Sequence, residues 1–272
     1  MALLRPPVGP KTFDVICAGD GAWRATLGRR EGVPGTAVSA GLVEIACALA
    51  RRGARVGLAT GLADDREGRA LIRAAADAGV DVDGVALAPP PSGIVMVDAA
   101  GQTMVGEPTA VTRELTIPDA WSSTVLLLAG LSPRVDSAAS LCRAARRARR
   151  GGATVVLDVA GSARRWWGHD PRSLAMVIRE ADVVRCTLMS VAVVGLDVAA
   201  VRRAMRPGAV LVTGDESGTT AAGPFGEVHA GARASDDAAV LVASICVELA
   251  RPARGVESGE ARWRRALLPP PS

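Results

Sequence analysis

The sequence predicts an α/β fold: a three-layer, doubly wound and mostly parallel sheet with helices on both faces. Three observations predict it. Short apolar runs that read as buried strands alternate with segments of helical spacing along most of the chain. Glycines stand where the helical segments should stop, at Gly53 and Gly79. No internal repeat is detectable, and 272 residues, 49% of them hydrophobic, suffice for one large domain, expected over 12–268.

The segment from Ser39 to Val85 shows the pattern most clearly. Ala46, Leu49 and Ala50 recur at helical spacing, and Arg51 and Arg52 fall in the last turn, where cations suit the helix dipole. Gly53 ends this helix and Arg55 to Thr60 reads as a buried strand. Asp64 and Asp65 open a second helix whose inner face is Ala70, Leu71, Ala74 and Ala75. Gly79 closes it, and Val80 to Val85 is expected to enter another strand.

Upstream, residues 1–11 form a proline-rich lead-in, and Phe13 to Ala18 is a strand ending in Gly19-Asp20-Gly21. A dinucleotide fingerprint requires glycine where Arg24 stands, so that reading is weak. Segments 27–38 and 92–106 read as short strands, the second with a turn at Ala99 to Gly101. Downstream, strands are expected at Trp121 to Ala129, Ala153 to Val159, Ala181 to Cys186 and Ala209 to Thr213. Helices are expected at Val135 to Arg150, Ser173 to Glu180, Asp197 to Met205 and Asp236 to Leu249, with a short one near Ala261 to Leu267. Gly223 to Gly226 should turn a hairpin between Thr219–Ala222 and Glu227–Ala230. Such a sheet carries its site at the strand C-termini.

Composition narrows the function classes. Net charge is only +4, and the basic runs at 143–150 and 262–265 read as solvated helix faces, so no nucleic-acid partner is expected. No apolar run is long enough to span a bilayer and no secretory leader is visible; a cytoplasmic protein without a membrane partner is expected. The five cysteines, Cys17, Cys47, Cys142, Cys186 and Cys246, form no CxxC pair and read as mostly buried free thiols, with no metal site. Lys11 is the only lysine, and asparagine and tyrosine are absent.

The Ser39–Val85 stretch also carries a resemblance. Ala48-Leu49-Ala50-Arg51-Arg52-Gly53, then Gly61, Asp64, Asp65 and Gly68, then Ala78-Gly79-Val80-Asp81 resemble the PfkB, or ribokinase-like, carbohydrate kinases in order and spacing. The resemblance implies that fold, with segments 27–38 and 92–106 as a small β lid through which small-lid relatives often pair as homodimers. It implies transfer of the γ-phosphate of ATP, with Mg2+, to a hydroxyl of a small-molecule sugar or nucleoside.

Residue by residue, the family's GGxxxN sugar motif falls on Ser39 to Glu44, making Gly41 and Glu44 substrate positions. Its sugar-holding aspartate falls on Arg24, with Asp20 one turn earlier; Asp20 alternatively just caps a turn. Arg24 either binds an anionic substrate or pairs with Glu44. Asp158 and the following segment resemble DxNxR-xxxW without the asparagine, and the NxxE motif near magnesium and phosphate falls on Thr187 and Ser190. Thr213 and the glycine turn ending at Gly218 match the nucleotide region. The DTxGAGD motif falls on 231–237: Asp237 lands on the catalytic base, and Ser235 and Asp236 on the phosphate cradle. Both cradle glycines are replaced, by Ala234 and Asp236, which crowds backbone that must approach an anion. Ser235 or Asp236 alternatively serves as a helix N-cap. With these motifs altered, the expectation is weak kinase activity, or an inactive protein of this fold that binds a ligand or partner.

Overall fold

The computed structural model of the chain describes residues 9–20, 23–26, 38–39, 41–88, 94–98, 101–105, 116–130, 135–159, 171–193, 195–215, 218–231, 238–252 and 258–268. The first strand, β1 (Lys11–Asp20), is followed by β2 (Trp23–Thr26), β3 (Val38–Ser39) and helix α1 (Gly41–Arg51). Next come β4 (Val56–Ala63), α2 (Arg66–Asp77), β5 (Ala86–Ala88), β6 (Ile94–Asp98) and β7 (Gly101–Val105). The chain continues through β8 (Trp121–Ala129), α3 (Val135–Arg150), β9 (Thr154–Asp158), α4 (Pro171–Ile178), β10 (Val183–Thr187) and the short α5 (Leu188–Val193). It ends with α6 (Val198–Ala204), β11 (Val210–Asp215), β12 (Gly218–Gly223), β13 (Gly226–Gly231), α7 (Ala238–Ala250) and α8 (Gly259–Leu267).

Nine strands form the main sheet in the order β13-β12-β11-β10-β9-β8-β1-β4-β5. Every pairing from β11 to β5 is parallel, and only the β11-β12-β13 edge is antiparallel. Parallel strands are covered on both faces, which explains why Val15 to Ala18 and Val125 to Ala129 read as continuous apolar runs. Val15, Cys17, Leu127 and Val156 pack on one face with α1, α2, α7 and α8. Ile16, Leu126, Leu128 and Leu157 pack on the other with α3, α4, α5 and α6. This is the expected three-layer arrangement. Each fully buried Leu or Ile contributes about 1.5–3 kcal/mol relative to exposure.

A separate four-stranded sheet has the order β3-β2-β6-β7. The expected hairpin at 92–106 is present, with Asp98 paired to Gly101. Of the earlier lid segment, 27–38, only Val38 is described, as the start of β3; the partner of β3 is Trp23–Thr26, ahead of the expected range. The rest of that segment lies outside the described residues.

Local signals set the α1–α2 region. Gly53 and Gly79 take positive φ as helix stops. The Asp65 carboxylate accepts the Gly68 N–H at 2.8 Å, capping α2. A Cβ on Gly68 would sit 2.0 Å from the Ala63 carbonyl oxygen, so the first turn of α2 packs on the end of β4 only with glycine there. The strand expected to be entered over Val80–Val85 starts with a single parallel bridge from Asp81 to Gly57 of β4 and continues as β5 at Ala86–Ala88. Asp81 N–H donates to Val56 O and the Asp81 carbonyl accepts Leu58 N–H; its carboxylate then accepts the Asp83 N–H and binds Lys11, and Val85 donates to Val82 O, so a turn interrupts the pairing with β4.

The basic runs are solvated only in part: Arg143, Arg146, Arg150 and Arg264 are exposed, while several of the arginines also bind distant groups. Arg146 and Arg149 both reach the Glu180 carboxylate, and Arg147 bonds Asp119 and the Ile117 carbonyl. Arg262 donates to the Glu248 and Leu249 carbonyls at the end of α7 and to the Arg251 carbonyl just after it, while Arg265 and Arg251 bind the buried Glu248 carboxylate. Helix C-termini leave such carbonyls without intrahelical donors, so arginines are recruited there, joining α8 to α7 and α3 to the turn after α4 within their own layers.

All five cysteines are buried free thiols. Burial pushes the Cys17 and Cys246 thiols well up, and pushes Cys186 up to about 11. The thiolate is the reactive form. Native protein at pH 8 is therefore expected to resist iodoacetamide, with all five thiols alkylated once denatured. Mass spectrometry reads the result; rapid native labelling at Cys17 or Cys246 would contradict the packing.

Candidate functional site

Strand order locates the site. From β1 the chain crosses to β4 on one side, whereas β8 joins β1 on the other and the chain then proceeds outward through β9, β10 and β11. The direction of winding therefore reverses between β1 and β8, and a crevice opens beyond the C-terminal ends of these two strands. Its floor is narrow. Gly19 pairs with Ala129 on one side and Thr60 on the other, and its carbonyl accepts the Thr60 hydroxyl at 2.8 Å. Gly19 has φ 152°, and a Cβ there would sit 1.7 Å from the Ala129 oxygen.

Two helices begin at this edge. Helix α1 lies in the crossover from β1 to β4, so its N-terminus is at the strand C-terminal side. Helix α7 follows the loop after β13 and packs against α1 and over β1, β8 and β9. Ala239, Val242, Ala243, Ile245 and Cys246 of α7 are buried, which explains why its sequence is apolar almost all round. The N-terminal N–H groups of both helices favour negative charge at this edge.

Alternation along β9 and β10 puts charge on the α7 side of the same edge. Val156 and Val183 pack in the α7 layer, Leu157 and Val184 in the opposite one, and Asp158 and Arg185 return to the α7 side. They are register partners, and Arg185 Nη1 donates to Asp158 Oδ1 at 2.8 Å with side chains 9% and 5% exposed. Sequence reasoning placed Asp158 at a strand end but missed Arg185. The available signal was a lone arginine inside the apolar run 181–186, one strand away from an aspartate ending a similar run.

Thr187 and Ser190 satisfy each other. Thr187 N–H donates to Ser190 Oγ at 2.8 Å, Ser190 N–H to Thr187 Oγ1 at 3.0 Å, and Ser190 Oγ–H to the Thr187 carbonyl at 2.8 Å. This is a reciprocal capping box that starts α5. Magnesium takes carboxylate, phosphate and water oxygens in an octahedron. Here both hydroxyl oxygens are engaged with backbone and no carboxylate is present at the pair, so these two residues do not fit the metal-proximal role the resemblance implies. Among the described residues, no group of three His, Cys, Asp or Glu is placed to hold a metal ion.

The other positions fall as follows. Thr213 is on β11, opposite Cys186 and Thr220. Gly218 starts β12 with φ 140°, and a Cβ there would lie 2.1 Å from the Ala230 oxygen, so its glycine serves hairpin closure. Gly41 begins α1, and Glu44 is half-buried in its first turn. The backbone of Arg24 pairs with Ser39, which brings residue 24 beside the start of α1. The side chains of Arg24 and Asp20 lie outside the described residues, and so do Ser235, Asp236 and Asp237. The Arg24–Glu44 pair thus remains an expectation. A cavity of about 300 Å³ opens elsewhere, at the start of β11, lined by Arg202, Arg206, Leu211 and Glu227. It lies at the wrong end of the strands for the crevice, and its arginines bind Glu227 and Asp182.

No protein-family model and no curated relative matches the sequence. Solved structures do match in fold. A fructokinase with bound ATP from Xylella fastidiosa superposes with a TM-score of 0.75 at 19% identity, over 95% of this chain and 91% of that one. Aminoimidazole riboside kinase from Salmonella enterica gives 0.72 at 19% identity, over 94% and 90%. A PfkB protein from Polaromonas sp. JS666 gives 0.71 at 21% identity, over 93% of each chain. The chain has the PfkB, or ribokinase-like, fold over nearly its whole length.

Proposed function

We propose that the protein is a slow phosphotransferase that moves the γ-phosphoryl group of ATP to a hydroxyl of a small sugar or nucleoside. The observation that carries this reading is the crevice between β1 and β8 with the start of α7 above it, in a fold shared with ATP-dependent sugar and nucleoside kinases. Asp237, immediately before α7, takes the acceptor hydroxyl proton. The acceptor oxygen then bonds to the γ-phosphorus as the bond to the β–γ bridging oxygen breaks, and ADP leaves. The backbone at Ser235 and Asp236 and the dipole of α7 stabilise the transferring charge. Thr213 and Gly218 flank the nucleotide, while Gly41, Glu44, Arg24 and Asp20 face the acceptor.

Turnover is slow because loss of one well-placed donor to developing charge costs about 10²–10³ in rate, and Ala234 and Asp236 replace both cradle glycines. A second reading, a protein that binds the same ligands without chemistry, is favoured by the self-satisfied Thr187–Ser190 pair. A cytoplasmic location and homodimer formation through the β3-β2-β6-β7 sheet belong to the same proposal. No helix among the described residues is long and apolar enough to cross a membrane.

The test is transfer from labelled ATP across a panel of sugars, sugar acids and nucleosides. Slow transfer to one acceptor class is expected, falling by about 10²–10⁴ in Asp237→Asn, the range for a positioned general base. Rapid, Asp237-dependent turnover would remove the slow-enzyme reading, and nucleotide binding without transfer to any acceptor would leave the binding protein.

A further inference from the structure

Proteins hold a nucleotide's magnesium through one or two carboxylates together with phosphate oxygens. The β10–α5 junction has none to give. Thr187 Oγ1 accepts the Ser190 N–H, and Ser190 Oγ accepts one backbone N–H while donating to a backbone carbonyl. Ser190 is 4% exposed, so water does not readily replace these bonds. On the adjoining strand, the Asp158 carboxylate faces the Arg185 guanidinium, which repels a cation as it binds the carboxylate. What the described residues of this edge offer the polyphosphate directly is the N-terminal N–H groups of α1 and α7.

From this disagreement with the metal that the fold implies, and resting on the nucleotide-binding part of the function proposed above, we infer that this site binds the nucleotide polyphosphate equally well with and without magnesium. The cause is confined to one position. A capping box accepts glutamate at its third helical residue, where the carboxylate receives the same N-cap N–H that Ser190 Oγ receives now. Ser190→Glu therefore keeps the bond from the Thr187 N–H and adds the missing carboxylate.

The experiment is titration calorimetry of ADP and ATP against the full chain, in excess MgCl2 and in EDTA, for the wild type and Ser190→Glu. The wild-type Kd is expected to agree within about twofold between the two buffers, because neither Thr187 nor Ser190 offers a carboxylate to couple cation to nucleotide. In Ser190→Glu, magnesium is expected to tighten binding about tenfold, within the ordinary range of coupling between sites. Wild-type binding that tightens tenfold or more with magnesium overturns the inference and leaves the kinase reading intact. A folded Ser190→Glu variant, checked by circular dichroism, that stays indifferent to magnesium also overturns it. Absence of nucleotide binding in either buffer overturns both. The wild-type comparison decides the matter whether or not Ser190→Glu folds.

Discussion

Gly19→Ala is expected to destabilise the protein by about 4 kcal/mol, combining an overpacking cost of about 1–3 kcal/mol with a similar cost for a side chain at positive φ. The added methyl would lie 1.7 Å from the Ala129 oxygen, well inside contact distance. The backbone has little room to retreat, because Gly19 is laddered to both neighbouring strands and its carbonyl holds the Thr60 hydroxyl. Urea denaturation should show a lowered midpoint at unchanged slope. Gly41→Ala is the control: a Cβ there meets nothing within 4 Å, so stability should stay within about 1 kcal/mol of wild type, where helix propensity alone acts. Equal loss at both positions would mean that the close seam between β1 and β8 is not what restricts residue 19.

Arg185→Leu is expected to cost about 3–5 kcal/mol, the range for breaking a buried ion pair by removing one partner. Both side chains are more than nine-tenths buried, so neither charge regains full hydration when the other goes. The penalty belongs to the Asp158 carboxylate left without its guanidinium, not to the removed arginine as such. The double replacement Asp158→Leu with Arg185→Leu should therefore recover most of the loss. Strict additivity of the two single replacements would show that the pair does not couple. Because the pair lies at the crevice edge, nucleotide affinity of the folded double variant should be measured beside its stability, since it also removes the buried cation there.

Much of the fold was legible because its signals are local. An apolar run between glycines, an aspartate at a helix start and two arginines in a last turn act within a few residues of themselves. They placed α1, β4 and α2, the hairpin at 94–105 and the apolar α7 close to where they stand. The interrupted edge strand shows where local reading stopped: Val80 and Val85 are buried as a strand would bury them, yet after one bridge at Asp81 a turn anchored by Lys11, seventy residues away, postpones the next pairing to Ala86. The partners of the basic runs were missed for the same reason. Glu180 and Glu248, which engage those arginines, are distant in sequence or on another helix face.

The candidate site divides along the same line. By itself the sequence determined the element types, the likeness of 48–81 to a kinase family, and the altered residues at 24, 44, 187, 190, 234 and 236, since each depends only on residue identity and spacing. Tertiary structure decided the strand order that puts the crevice between β1 and β8, the register that sets Arg185 against Asp158, and the bonds that turn Thr187 and Ser190 toward each other. Strand pairing and burial of charge are long-range, cooperative choices: a strand carries the same apolar pattern whichever neighbour it takes, and only the packed sheet determines which carboxylate an arginine meets.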